Sequence, residues 1–272
     1  MNAVPLVDLA LARRLERCEA HANRRFVESR ARRVPDIGAT WIEAGGAYAL
    51  FDGVGSPLTQ TFGLGVFEPV TPAVLDTIEA FFGSRGADTF HEVSPLADPS
   101  ALALLNERGY RPCEFTAVLF QPLPAAGPSG ALPPDTEVRL VREDERDAWA
   151  ATALQGWSEF PEVLEFVSSF GPTAAAAEDA YQFMAVQRGT PIATGSLSIH
   201  GDVALLAGAS TVPGARGQGA QRALLAARLA HASAQGCSVA MMGASPGSGS
   251  QRNAERSGFR IAYTRIKWQR PR

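Results

Sequence analysis

Between residues 180 and 268, short apolar runs alternate with turn residues. Tyr181–Gln187 and Ile192–His200 read as strands joined by the turn Arg188-Gly189-Thr190-Pro191. The Gly201-Asp202 turn leads into an apolar strand at Val203–Val212. From 219 to 234 the period changes. Leu224, Leu225, Ala227 and Leu229 share a helical repeat that ends near Gly236. Cys237–Met242 predicts another strand. Ser250–Ser257 predicts a short helix capped by Ser250, with Gly258 just past its end, and Phe259–Trp268 a closing strand. Upstream, Glu137–Val141 predicts a strand, and Asp144 caps a helix through Leu154. The order β-α-(α)-β-β-β-α-β-α-β predicts an α/β architecture, an α+β mixed sheet with helices on its faces.

A weaker version of this order runs through the first half. Thr40–Phe51 and Thr59–Phe67 read as strands, Thr71-Pro72 opens a helix through Phe82, and Ala87–Val93 is a strand. Pro99–Arg108 is a helix ending at Gly109, and Phe115–Gln121 a strand. Leu105-Asn106-Glu107-Arg108-Gly109-Tyr110 and Asn253-Ala254-Glu255-Arg256-Ser257-Gly258-Phe259 share one pattern: a helix end, a glycine, an aromatic, then a strand. This predicts a divergent internal repeat. Between the halves, residues 122–134 hold five prolines and two glycines, which no helix or central strand sustains. The expected division is therefore 1–124, a linker at 125–134, and 135–272.

Composition narrows the function. Lys and Arg total 25 and Asp and Glu 28, giving a net charge of −3 without the basic surplus of a nucleic-acid binder. The first half carries 11 basic and 15 acidic residues and the second 14 and 13, so an anion site belongs more readily in the second. Apolar residues make up 46% and charged residues 19%, enough for ordinary cores. Lys267 is the one lysine beside 24 arginines. Cys18, Cys113 and Cys237 are far apart and form no metal-ligand pattern, so neither a disulfide framework nor a metal site is expected. The N-terminal stretch has Asp8 and no long apolar run. No 18-residue uncharged apolar segment follows, so no membrane association is expected and the expected compartment is cytoplasmic.

The chemistry concentrates at Ser210–Leu225, where a glycine-rich turn joins an apolar strand to an amphipathic helix. Such a turn exposes backbone N–H groups at a helix start, where unpaired donors and the helix dipole favour an anion. Gly214, Gly217 and Gly219 permit close approach, and no Asp or Glu lies between Gly208 and Gln235. Arg216 and Arg222 add charge-assisted donors. No Gly-Lys-Ser/Thr follows, and Arg222 stands where a dinucleotide fingerprint requires its third glycine. Spacing alone leaves an ordinary strand-to-helix connection equally open.

Val212-Pro213-x-x-Arg216-Gly217-x-Gly219, followed by Ala223-Leu224-Leu225, resembles the acetyl-CoA-binding motif of the GNAT superfamily of acyltransferases, Gln/Arg-x-x-Gly-x-Gly/Ala. Gln221 stands where that family has Gly or Ala, so its side chain must point away from the pyrophosphate. Asn253–Phe259 resembles the family's later helix, which ends in Gly-Phe before the closing strand. The resemblance implies two GNAT-like domains, the first a degenerate copy in which Val66-Phe67-Glu68-Pro69-Val70-Thr71-Pro72 replaces the glycine turn.

It also implies acetyl-CoA as co-substrate and attack by a primary amine within a ternary complex. Ser210, Thr211, Val212, Arg216, Gly217, Gln218, Gly219, Ala220, Gln221, Arg222 and Asn253 are then the cofactor-contacting set. A backbone N–H near Ser210–Val212 would polarise the thioester. The family's usual general-acid tyrosine position is Ala254, which leaves Glu159, Asn253 and Tyr263 as catalytic candidates. Glu159, Glu162 and Glu165 fall where the family builds its acceptor pocket. The acceptor is expected to be a small-molecule or peptide amine, with no nucleic-acid or membrane partner, and a homodimer is compatible. A non-catalytic acyl-CoA-binding or sensor module and transfer of a longer acyl chain are the alternatives.

Overall fold

The computed structural model describes residues 6–124, 135–177 and 179–271, without the side chains of Glu162 and Val163. The expected linker, 125–134, lies outside the described residues. Contacts divide the chain into two compact units. The first comprises Met1–Phe120, Gly243–Asn253 and Arg260–Arg272, and the second Gln121–Met242 and Ala254–Phe259. The closing strand thus clusters with the N-terminal unit, which corrects the expected boundary at 135–272. Hydrogen-bonded strand pairing, which a sequence break at the linker does not reveal, decides where a strand resides.

The first unit opens with α1 (Leu9–Arg33), capped by Asp8, whose Oδ1 accepts from the Leu11 amide at 2.8 Å. Then come β1 (Thr40–Ala44), β2 (Ala47–Phe51), β3 (Gln60–Phe62), α2 (Pro72–Gly83), β4 (Thr89–Val93), α3 (Pro99–Glu107) and β5 (Arg111–Pro122). The run Thr40–Phe51, expected as one strand, is a β1–β2 hairpin turning at Gly45-Gly46, and the strand expected at Thr59–Phe67 is only three residues long. β1, β2 and β3 pair antiparallel, and β3 pairs parallel with β4. β11 (Arg260–Arg270) lies between β4 and β5, antiparallel to both. One sheet face packs on α2 and α3 through Leu75, Ile78, Phe82, Leu105 and Trp268. The other carries an ionic centre: Arg265, 1% exposed in its side chain, sits 3.4 Å from Glu16, 2.9 Å from Glu19 and 3.4 Å from Glu92. Such a cluster holds α1 to β11 because removing one partner would leave an uncompensated buried charge.

The second unit runs β6 (Thr136–Leu140), α4 (Arg146–Gly156), α5 (Pro161–Ala175), β7 (Ala180–Gln187), β8 (Thr190–His200), β9 (Val203–Thr211), α6 (Ala220–Ala234) and β10 (Val239–Ala244), then α7 (Gly249–Arg256), which the division crosses. β6, β7, β8 and β9 are successive antiparallel neighbours, and β9 pairs parallel with β10. The pattern β1-β2-β3-α2-β4-α3-β5 thus recurs as β7-β8-β9-α6-β10-α7-β11, three antiparallel strands and then a parallel crossover, so the expected repeat is present. α4 is anchored by buried Trp149, whose indole donates to the Phe183 carbonyl at 3.0 Å. Leu224, Leu225, Leu229 and Ala232 of α6 are buried, as the helical repeat predicts.

Candidate functional site

The β9–α6 turn begins where β9 loses its neighbour. Pairing with β10 runs only from Val203↔Val239 to Leu205↔Met241. β9 continues to Thr211, and Ala207, Gly208 and Ala209 are exposed. The β8–β9 register shifts between Thr194↔Ser210 and Ser196↔Ala207, a bulge in which Gly208 takes φ +59°. Beyond β9, Pro213–Ala215 form a 3-10 turn. Gly217 and Gly219 take φ +74° and +92°, a region that side chains disfavour. Gly219 caps α6 without a side-chain bond, and the Ala223 amide makes the first helical bond, to the Gly219 carbonyl. Among the described residues, the amides of Gly217–Gln221 donate to no backbone carbonyl. These donors converge on one uncapped helix start, which suits a multiply charged anion.

The surrounding side chains brace the turn. The Gln221 amide donates to the Ser210 carbonyl at 2.6 Å and Thr211 Oγ1 at 2.8 Å, so the side chain points back to β9, as expected. Arg216 Nε donates to the Thr211 carbonyl at 3.2 Å, Nη2 to the Gly156 carbonyl at 2.9 Å, and Nη1 pairs with Glu159. Expected as a phosphate contact, Arg216 instead clamps the end of α4 to the end of β9. Ser210 Oγ lies 3.0 Å from Thr194 Oγ1 and 3.3 Å from the Ala153 carbonyl, buried rather than offered to a ligand. The Val212 amide donates to the Ile192 carbonyl at 3.0 Å, so it cannot polarise a thioester, and the exposed β9 backbone lies earlier, at Ala207–Ala209. Gln218 and Arg222 are exposed beside the bare amides, and Ala220 is buried beneath them.

The catalytic candidates fare differently. Tyr263 is buried in β11 of the first unit, and its hydroxyl donates to Glu16 Oε1 at 2.9 Å. Burial raises its pKa, and the Glu16 charge adds to this. Within the first unit its hydroxyl is engaged by Glu16. Asn253 is exposed on α7, in the segment that clusters with the first unit. Glu159 reaches the site, but as the partner of Arg216. The exposed pair Trp157 and Phe160 flanks it, with ring centroids 5.7 Å apart.

The equivalent turn of the first unit is closed. Thr71 caps α2 by accepting from the Val74 amide at 3.3 Å, and Pro72 at the first position has no N–H. Arg13 donates to the Val66 and Phe67 carbonyls at 2.9 and 3.5 Å.

Sequence reasoning missed Arg228, the polar group buried behind the bulge. Its signal was visible: an arginine inside the apolar stripe Leu224-Leu225-Leu229.

The bare amides of the turn, beside a strand that parts from its neighbour, suit a multiply charged anion with an extended arm. Residues 141–259 match the Acetyltransferase (GNAT) family. Solved structures with the same fold include a GCN5-related N-acetyltransferase from Kribbella flavida, at 22% identity and TM-score 0.65, covering 93% of this chain and 95% of that one. Another, from Sphaerobacter thermophilus, has 17% identity and TM-score 0.57, covering 78% and 71%. A tandem GNAT protein from the clavulanic acid biosynthesis pathway, solved without acetyl-CoA, has 13% identity and TM-score 0.61, covering 84% and 78%. None of the curated proteins matches the sequence. No helix among the described residues is long and apolar enough to cross a membrane.

Proposed function

We propose that the second unit transfers an acetyl group from acetyl-CoA to the primary amine of a small molecule or peptide, by direct attack while both substrates are bound. The observation that carries this reading is that, among the described residues, the amides of Gly217–Gln221 donate to no backbone carbonyl. The pyrophosphate binds there, where the helix dipole and the N–H groups act together. The pantetheine arm follows the exposed β9 edge past Leu205, where β10 no longer pairs. Catalysis rests on proximity and on polarising the thioester carbonyl. The amine attacks as its free base, so the rate rises with pH toward the amine's own pKa, about 10.4 for a lysine-like group.

The engagement of Tyr263 with Glu16 and of Glu159 with Arg216 favours one second reading, an acyl-CoA-binding module without turnover. Calorimetry with acetyl-CoA, followed by thiol release across a panel of amines, separates the two. Turnover on any amine establishes the first, and binding without turnover supports the second. Gly219→Glu places a carboxylate among the amides and is expected to abolish binding under both. Unchanged affinity in that variant would displace the site from this turn.

A further inference from the structure

Arg228 of α6 is fully buried, yet among the described residues no carboxylate pairs with it, and burial alone pulls its pKa down to about 10. A lone guanidinium in a core is costly unless its hydrogen bonds matter. Nε bonds back to the Leu224 carbonyl at 3.3 Å. Nη1 donates to the Ser196 carbonyl at 3.1 Å and the Ala207 carbonyl at 3.4 Å. Ser196 and Ala207 are the cross-strand pair bordering the bulge. Gly195, opposite the bulge, makes the room: a Cβ there would stand 2.9 Å from Arg228 Cζ. Bulge, glycine and arginine therefore form one built assembly.

The peptide plane gives this assembly a direction. In a trans peptide the C=O and the next N–H point opposite ways. With the Ala207 carbonyl held toward Arg228, the Gly208 N–H points away from it, within the exposed stretch Ala207–Ala209. We propose that Arg228 is a positioning residue for acyl transfer, clamping the Ser196 and Ala207 carbonyls so that the Gly208 amide faces the acyl carbonyl of the bound thioester. The inference rests on the acyl-transfer reading of the turn and deepens it.

The test uses the full chain with acetyl-CoA labelled with carbon-13 at the acyl carbonyl. In the wild type the bound carbonyl resonance moves downfield of free acetyl-CoA. In Arg228→Met, an apolar side chain of similar reach, that displacement falls by about half or more, because the amide is no longer aimed. Arg228→Lys retains part of it. Gly195→Ala leaves the arginine in the sequence but pushes it from its seat, and gives the same loss. In every variant CoA affinity by calorimetry stays within about threefold of wild type, since the phosphates sit on the turn. With a turned-over amine in hand, kcat falls roughly tenfold or more and the KM for acetyl-CoA holds. An undisplaced carbonyl in the wild type, or full displacement in either Arg228→Met or Gly195→Ala when folded and loaded, overturns this inference alone. Failure of the wild type to bind acetyl-CoA overturns the acyl-transfer reading and this inference with it.

Discussion

Glu159 and Arg216 form an ion pair that ties the α4–α5 connection to the glycine turn. With acetyl-CoA seated on the turn, the pair would hold the guanidinium away from the phosphates. Glu159→Gln is expected to tighten acetyl-CoA binding, because the anion then meets an uncompensated arginine. The pair is exposed and worth about 1 kcal/mol at most, so the gain is about fivefold or less. Calorimetry at low and high salt measures it. A weakened affinity, or a collapse of kcat with binding intact, would instead make Glu159 a substrate-contacting group.

Gln221 replaces the small residue of the GNAT motif and uses its amide to hold β9. Gln221→Ala leaves the Ser210 carbonyl and Thr211 hydroxyl without that donor, at a cost of about 1–2 kcal/mol read as a lower unfolding midpoint. CoA affinity changes little, about threefold or less, because the backbone amides persist. A much larger loss of affinity would show that the side chain itself holds the ligand.

Tyr263→Phe separates structure from chemistry. The hydroxyl serves Glu16, whose pKa burial raises while Arg265 opposes the rise. Removing it destabilises the first unit by about 1–2 kcal/mol in chemical unfolding. The kcat and its pH profile should be those of the wild type. A lost basic or acidic limb in that profile would return the phenol to the reaction.

His91 predicts an acid sensitivity of the first unit. Tyr110 gives its one hydrogen to Glu79 at 3.0 Å, so His91 Nε2, 3.2 Å away, carries the proton between them. Burial holds this neutral ring's pKa down to about 3, against 6.5 when unfolded. The stability due to His91 is therefore complete above about pH 6.5 and lost as the pH falls toward 3. Glu92, whose pKa burial raises, acts oppositely: its contribution declines as the pH rises from 4.5. The His91→Phe variant isolates the first effect. Its urea midpoint falls less between pH 6.5 and 4 than that of the wild type, and parallel profiles would show that His91 protonates within the fold.

Much of the second unit was legible because local pattern and tertiary role agree there. Ile192–His200 and the apolar run Val203–Val212, both expected as strands, are strands to within two residues. The missing acids between Gly208 and Gln235 marked the bare amides of Gly217–Gln221. α1 was missed although Leu11, Leu15, Cys18 and Phe26 line a buried face, because its arginines and glutamates mask the period. Arg228 shows in the sequence only as an arginine inside an apolar stripe, and the third dimension sets it against the bulge.

The sequence by itself determined the strand and helix order of the second half, the repeat, the anion-ready turn and the replacement of its glycines at Val66–Pro72 in the first half. These are local matters of periodicity, backbone conformation and missing N–H groups. Only the tertiary structure decided that β11 joins the first unit's sheet, that Tyr263 meets Glu16 and Arg216 meets α4, and that Arg228 lies behind β9. Each of these depends on a partner far along the chain, from 21 residues for Ala207 and Arg228 to 247 for Glu16 and Tyr263. No local pattern encodes a hydrogen-bond partner at that separation.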